Sequence, residues 1–426
     1  MISLRAMPVR FRILAVLIAL SFVNYLLRNN ISVAMPSIRE EFSFTNAEIG
    51  WILGSFNLSY TLFQIPGGIF GETVGHRRAL AVIAVTWGVL TFLTGFAPSL
   101  MAASATGAMV SLIAVRFLMG IANAPIFPIM IGTIARWFPT GGWAFPNSLT
   151  SAGLTLGQAA IGPVVTLLII YFGWRNSFYV LAPLGFLVGA WWHWYGRDRP
   201  SEHRAITPEE VALINHGRDP AATEAPPPGS WREVLMRRDV LLLGASYFCS
   251  NVVFYMFAQW LFIYLVEERG FSLLESGFLY VLPFATGAAM AAIGGLTCDH
   301  LCHRYGGRLG CRLPAMTALA LVTVFMLLGI NAVDPYVAVA LLSLCFGFQQ
   351  FTEGPFASAA TYLGGPHAST AYGVINTGAN AAGFLAPVIG LMIDRAGWVV
   401  TLASGSVFAL ISAGLWMLVR IEGGRP

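Results

Sequence analysis

Pro66-Gly67-Gly68-Ile69-Phe70-Gly71-Glu72-Thr73-Val74-Gly75-His76-Arg77-Arg78 ends one apolar run, over 49–70, and leads into another, over 80–98. Glycines of this kind let two helices approach closely. A carboxylate at a helix end beside two guanidinium groups is suited to latch one conformation. Gly68, Glu72, Gly75, Arg77 and Arg78 are therefore expected to form a conformational latch. The segment has a partial copy: Gly68-x3-Glu72 returns 227 residues later as Gly295-x3-Asp299, adding Asp299 to the latch. Two other landmarks repeat at nearly the same offset. Asn123-Ala124-Pro125 returns as Glu353-Gly354-Pro355 after 230 residues. Pro163 with Gly173-Trp174 ten residues on returns as Pro387 with Gly397-Trp398 after 224. The chain therefore reads as two like halves, the plan of alternating-access carriers built from parallel repeats.

Around this repeat, mostly apolar runs lie at 11–36, 49–70, 80–98, 107–134, 147–171 and 177–196, and then at 239–266, 274–298, 314–332, 336–362, 370–393 and 398–419. Twelve crossings of about 20 residues need about 240 apolar residues, and the 426-residue chain is 57% apolar and only 10% charged. The expected architecture is an all-α integral membrane protein with twelve transmembrane helices in two parallel-repeat six-helix halves. Residues 1–196 and 239–426 would be the bundles, joined by a cytoplasmic central loop over 197–238 with Pro226, Pro227, Pro228 and Gly229 as linker. All 24 basic residues other than histidine are arginine. Eighteen fall on the face bearing both termini and the central loop; Arg39, Arg175, Arg269 and Arg395 fall on the other. By the positive-inside rule both termini are cytoplasmic and the protein is multi-pass in the cell (inner) membrane. A signal-peptide reading, with Ser32-Val33-Ala34 as cleavage site, would leave eleven spans and spoil the repeat.

The absence of lysine excludes Schiff-base chemistry and a lysine-based phosphate loop, and a net charge of +4 gives no nucleic-acid surface. No nucleophile, metal or cofactor constellation with convincing spacing appears, so neither an enzyme nor a cofactor is expected. Cys298, His300, Cys302, His303 and Cys311 cluster in sequence, but Cys-x3-Cys fits compact zinc knuckles poorly, so no metal is assigned. Five cysteines, odd in number and in or beside apolar runs, suggest no disulfide framework. His193, among Trp191, Trp192, Trp194 and Tyr195, reads as an interface belt.

The segment Pro66 to Arg78 resembles the cytoplasmic loop signature of the major facilitator superfamily, with Glu72 where that signature usually has Asp. A narrower resemblance is to the anion:cation symporter family of sugar-acid and organic-anion carriers, which includes sialin-like proteins. It is carried by Asn24 to Ala34, Arg116-Phe117-Leu118-Met119-Gly120-Ile121-Ala122-Asn123-Ala124-Pro125-Ile126-Phe127-Pro128, Phe172 to Arg175, Trp260-Leu261-x2-Tyr264-Leu265, and Glu268 to Ser272. The resemblance implies the major facilitator fold and movement of an organic anion, with Arg28 and Arg116 at positions used for substrate binding or coupling.

The residues themselves point to the same sign of charge. Arg28 lies deep in the first span and Arg116 about nine residues, or about 13 Å, into the fourth. A charge at such depth costs about 2.5–3.5 kcal/mol on the insertion scale, so it normally faces a cavity or a partner. One acid, Glu353, is also deep, so the interior is expected to carry net positive charge. Bidentate guanidinium binding suits a carboxylate, hence a small organic anion as cargo. Polar stripes at four-residue spacing add Asn24, Arg28 and Ser32; Tyr247, Asn251, Tyr255 and Gln259; Gln349 and Glu353; and Tyr372, Asn376 and Asn380. Tyr60, Gln64, Thr155 and Gln158 are further candidates for hydroxyl groups of the cargo. The expected substrate-binding set is Arg28, Arg116, Asn24, Tyr60, Gln64, Gln158, Asn251, Tyr255, Gln259, Asn376 and Asn380; interhelical hydrogen bonding is the competing role for each. Pro125, Pro355, Gly153 and Gly378 are candidate bends.

Proton-driven relatives often carry an acid before the first-span Arg and a Glu before Ala-Pro in the fourth span; here those positions are Leu27 and Asn123. Coupling, if H+ is a co-substrate, is expected at Glu353, the repeat partner of Asn123. A facilitator or exchanger of organic anions, or an exporter of drugs or siderophores, are the alternatives, and a monomer is the expected functional unit in the bilayer.

Overall fold

A computed structural model of the protein describes residues 7–100, 104–139, 144–215, 236–364 and 368–421. Arg5, Arg218, Arg232, Arg425 and the Pro226–Gly229 linker lie outside these. Among the described residues the regular structure is helical: α1 (Val9–Phe42), α2 (Asn46–Val74), α3 (His76–Leu100), α4 (Ala105–Asn123), α5 (Ile126–Trp137), α6 (Ala144–Phe172), α7 (Trp174–Tyr195), α8 (Pro208–Asn215), α9 (Arg238–Glu267), α10 (Leu273–Leu279), α11 (Val281–Asn331), α12 (Pro335–Phe351), α13 (Glu353–Gly364), α14 (Ala368–Ala381) and α15 (Ala386–Leu418), with 3-10 turns at Pro200–Glu202 and Ala382–Leu385.

Among the described residues, fourteen of these helices, all but α8, trace twelve spans. Continuous α11 has 51 residues, about 76 Å at 1.5 Å per residue, more than twice a bilayer core. It reverses at Gly306 (φ 80°, ψ 163°), and α15 reverses likewise at Gly397 (φ 79°, ψ 174°). Conversely α4 and α5 form one span broken at Ala124-Pro125, and α12 and α13 form one broken at Thr352. Proline lacks the amide a continuous helix would use there, so the break at Pro125 is built into the sequence.

The repeat is visible in the backbone. Six described residues have positive φ: Ser43 (58°), Gly75 (88°), Gly173 (80°), Gly270 (70°), Gly306 (80°) and Gly397 (79°). They pair as 43 with 270, 75 with 306 and 173 with 397, at offsets of 227, 231 and 224. Ser43 lies in no repeated sequence landmark, yet its turn matches that of Gly270 in detail. After Ser43, Glu48 Oε2 accepts from Thr45 N at 2.8 Å and Thr45 Oγ1 accepts from Glu48 N at 3.2 Å. After Gly270, Glu275 and Ser272 exchange the same two bonds at 3.0 and 3.2 Å. This reciprocal capping satisfies two orphan amides at the start of α2 and of α10.

Two compact units emerge: residues 1–31, 59–161 and 167–225, and residues 32–58, 162–166 and 226–426. In the first, small residues set the helix spacing. A side chain at Gly185 would meet the Ala84 carbonyl of α3 at 2.7 Å, and one at Gly88 the Ala182 carbonyl of α7 at 2.8 Å. Gly153 and Gly157 bring α6 onto the backbone of α1 at Ile18 and Phe22 in the same way. Close approach of this kind supplies van der Waals packing where lipid removes the hydrophobic drive between helices. Glu210 of α8 accepts from Val9 N and Arg10 N, both at 3.0 Å, closing the start of α1 with a negative charge.

The second unit has an aromatic interior, with Phe284 and Phe346 4.9 Å apart and Trp260 and Trp398 6.2 Å apart between ring centroids. Ser246 and Ser412 bond each other's backbone carbonyls at 2.8–2.9 Å, tying α9 to α15. Large apolar side chains such as Leu156, Leu187, Leu296 and Leu282 are exposed, as a lipid-facing surface requires.

Candidate functional site

The contact of α1 with α6 fixes where Arg28 stands. Arg28 is 4% exposed, and its guanidinium lies 4.7 Å from the Tyr60 ring centroid and 5.2 Å from that of Tyr25. Its Nη1 donates to Tyr25 Oη at 3.5 Å. Gln64 and Arg28 both hydrogen-bond the Tyr60 hydroxyl. Arg116, on α4, is 3% exposed, reaches Met119 Sδ at 3.3 Å, and interacts electrostatically with Arg28. Arg28 is thus walled by two aromatic rings, and Arg116 is a second buried guanidinium within electrostatic range of it. Aromatic faces attract cations, by about 2 kcal/mol or more when desolvated, which makes such an interior tolerable for a guanidinium.

Asn24, one turn before Arg28, is 1% exposed, and neither its amide nitrogen nor its oxygen has a hydrogen-bond partner among the described residues. Gln158 is equally enclosed but its Oε1 accepts from Asn29 Nδ2 at 2.6 Å, a bond the sequence did not single out. Thr155 donates to the Ser151 carbonyl of its own helix. The structure therefore gathers Arg28, Arg116, Tyr60 and Gln64, with Asn24 beside them on α1. Asn123 donates to the Met119 carbonyl at 3.0 Å, a bond within its own helix end.

In the second unit the stripe on α9 binds its neighbours. Tyr247 Oη donates to Glu353 Oε2 at 2.5 Å, Tyr255 Oη to Asn380 Oδ1 at 3.0 Å, and Gln259 Nε2 to the Gly383 carbonyl at 3.4 Å. Asn251 and Asn380 each donate to a carbonyl one turn back, Tyr247 and Asn376 respectively. Gln349, fully buried, donates to Ser250 Oγ at 3.4 Å. Glu353 opens α13, where the helix dipole favours a carboxylate. The regular spacing thus marks an interhelical seam as much as a wet wall.

The loop signature acquires an acid the sequence reading missed. Gly68 and Glu72 lie in the last turns of α2, but Asp198 is what meets the turn: its Oδ1 accepts from Arg77 N at 2.9 Å, and its carboxylate lies against Gly75. Arg77 in turn donates Nε and Nη2 to the His193 carbonyl at 2.9 and 2.7 Å. Arg78 and Asp299 are exposed. Arg197-Asp198-Arg199, charged at once after an aromatic span end, was the available signal. His203, half wrapped by Trp137 and Tyr195, accepts from Ala205 N at 3.2 Å. Burial beside Arg197 and Arg12 holds its imidazole below the usual histidine range.

A second network lies at the opposite end of α2. Asp394 accepts from Asn46 N at 3.2 Å, Asn46 Nδ2 at 2.7 Å and Ala47 N at 2.9 Å, so it caps α2 from α15. Arg39 joins Asn46 Oδ1 at 3.1 Å and Glu267 Oε2 at 2.6 Å. Gly50 and Gly390 let the backbones of α2 and α15 touch beneath it. No sequence landmark of ours included Asp394 or Glu267.

A family model of the Major Facilitator Superfamily matches residues 17–387. The chain belongs to the major facilitator superfamily. It is a membrane transporter of that fold, not an enzyme. It is similar to a protein of Cupriavidus necator named "Probable sulfoacetate transporter SauU", 32% identical over 392 residues that cover 91% of this chain and 88% of that one. The "Hexuronate transporter" of Bacillus subtilis is 25% identical over 416 residues, covering 95% and 93%. A solved bacterial homolog of the human lysosomal transporter Spinster, inward-facing and occupied, shares the fold with TM-score 0.77 at 17% identity, covering 97% of each chain.

Proposed function

We propose that this chain moves a small carboxylate, such as a sugar acid or a sulfonated acid, by alternating access, with Arg28 holding the carboxylate and Arg116 assisting or gating. The observation that carries the reading is the burial of these two interacting guanidinium groups. Two like charges within electrostatic range at low dielectric repel, and a bound anion changes that repulsion into attraction. Relatives named for sulfoacetate, for galactarate and D-glucarate in Escherichia coli and for hexuronate support an anionic cargo. Tyr60, Gln64, Asn24 and Gln158, in the unit that holds Arg28, supply hydrogen-bonding groups for cargo hydroxyls; Asn251, Tyr255, Gln259, Asn376 and Asn380 are the candidates within the other unit.

Uptake of labelled sugar acids and sulfoacetate into vesicles reconstituted with the purified protein tests this. Arg28→Ala should fold, lose stabilisation by carboxylates in a thermal-shift assay, and lose uptake; normal uptake would remove Arg28 from the site. The orientation that places both termini in the cytoplasm makes the Asp394 end outer and closed, with bundles 1–196 and 239–426 rocking as a monomer in the cell membrane. If H+ is co-transported, Glu353 with its Tyr247 partner carries it, because Leu27 and Asn123 cannot titrate. Uptake by Glu353→Gln that stayed fully dependent on a proton gradient would remove Glu353 from that role. Uptake by the native chain indifferent to the gradient would favour a facilitator or exchanger.

A further inference from the structure

Along the chain, Cys298, Cys302 and Cys311 have no metal-binding spacing, yet the fold gathers them. Cys298 and Cys302 stand one turn apart on the first arm of α11, and the reversal at Gly306 returns the second arm so that Cys311 faces them. Gly310 permits this, since a side chain there would collide with the backbone and sulfur of Cys302. The Sγ atoms are 3.9 Å (298 to 302), 3.8 Å (298 to 311) and 3.6 Å (302 to 311) apart, and all three residues are buried.

Those separations have a chemical meaning. Three thiolates about 2.3 Å from one ion at tetrahedral angles stand about 3.8 Å from each other. A disulfide needs about 2.05 Å, so no pair is bonded, while the triangle matches three corners of a thiolate-metal tetrahedron. We propose that Cys298, Cys302 and Cys311 form a binding site for a soft divalent cation, with Zn2+ as the cellular occupant. The Ser358 and Tyr362 hydroxyls hydrogen-bond Cys298 and Cys302 respectively. His300, His303 and Asp299 are exposed and lie outside the sulfur triangle.

Packing does not require sulfur here. By the 231-residue offset of Gly75 and Gly306, the first-half counterparts are Gly67, Gly71 and Leu80, so the same turn forms without a cysteine. The cluster lies on the arginine-rich face, which the proposed orientation puts in the reducing cytoplasm, where clustered thiols bind metals rather than pair. An ion bound there would clip both arms of α11 together beneath α13, whose Phe356, Ala359 and Ala360 pack on the cysteines.

Cd2+ is the probe, added to the full-length protein purified in detergent with reductant and then desalted. The expected result is one ion per chain with a thiolate charge-transfer band in the ultraviolet, tenfold or more weaker in Cys302→Ser or Cys311→Ser and unchanged in Cys249→Ser or Cys345→Ser. For the native chain, Zn2+ added before Cd2+ should suppress the band in proportion to the Zn2+ bound, which keeps the test open if a variant fails to fold. Absence of a stoichiometric band, a band indifferent to both cluster variants, or freshly isolated chain two hydrogens lighter per cysteine pair would overturn the proposal. None of these readouts depends on cargo, so the site and the transport reading stand or fall separately.

Discussion

Removing the Asp394 carboxylate should open the end of the molecule that it closes. One carboxylate accepts three hydrogen bonds, two of them from the first amides of α2, the geometry of an N-cap supplied from another helix. Loss of a cap costs about 0.5–2 kcal/mol, and charge-assisted bonds add to this, but the exposure of Asp394 to solvent reduces it, leaving about 2 kcal/mol in total. The bonds exist only while α2 and α15 touch, so that energy enters the closed-to-open ratio directly. At about 1.4 kcal/mol per factor of ten, the ratio falls about 30-fold in Asp394→Ala. Spin labels on cysteines introduced at exposed Glu40 and Arg395 would read it, since the five native cysteines are buried. A long-distance population should grow in Asp394→Ala and grow less in Asp394→Asn, which keeps one acceptor. Arg39→Ala should shift it by about fivefold at most, because its partner Glu267 is a quarter exposed and such pairs contribute under about 1 kcal/mol. An unchanged distance distribution in a folded Asp394→Ala protein would refute the assignment of this network as a latch.

Ser43 holds a left-handed conformation, φ 58°, that its repeat partner assigns to Gly270. A non-glycine residue there costs about 1–2 kcal/mol, partly offset by the greater freedom of an unfolded glycine, so Ser43→Gly should stabilise by about 0.5–1 kcal/mol and Gly270→Ser should do the reverse, as melting temperatures would show. His203 favours its neutral form in the fold, so the contribution it makes is fully present above the ordinary histidine pKa of about 6.5 and is lost as pH falls through the lower folded value. Melting temperature from pH 7 to pH 5 should drop more steeply for the native chain than for His203→Asn.

The sequence disclosed the duplication because proline and left-handed glycine have few substitutes: Pro125, Gly173 and Gly397 leave the same mark on residues and on backbone. The burial of Arg28 and Arg116 was legible from depth alone, since a charge nine residues into a span normally faces a cavity or a partner. The α9 stripe was ambiguous for a physical reason. Four-residue spacing places side chains on one face, but that face can meet water or another helix, and Tyr247, Tyr255 and Gln259 meet α13, α14 and the 3-10 turn after it. Asp198 and Asp394 were hidden for another reason, since each meets residues far away in number, while the cysteines, near in number, face one another only because the chain reverses at Gly306.

The break between α12 and α13 has one more implication. A helix that begins inside a bilayer exposes amides carrying about half a positive charge, and this charge belongs to the backbone. It neither titrates nor yields to side-chain mutagenesis, and salt cannot reach it to screen it. Glu353 stands at that start. In Glu353→Gln the half-charge would remain with nothing ionic to answer it, so removing one charge would turn the local balance at that helix start from negative to positive.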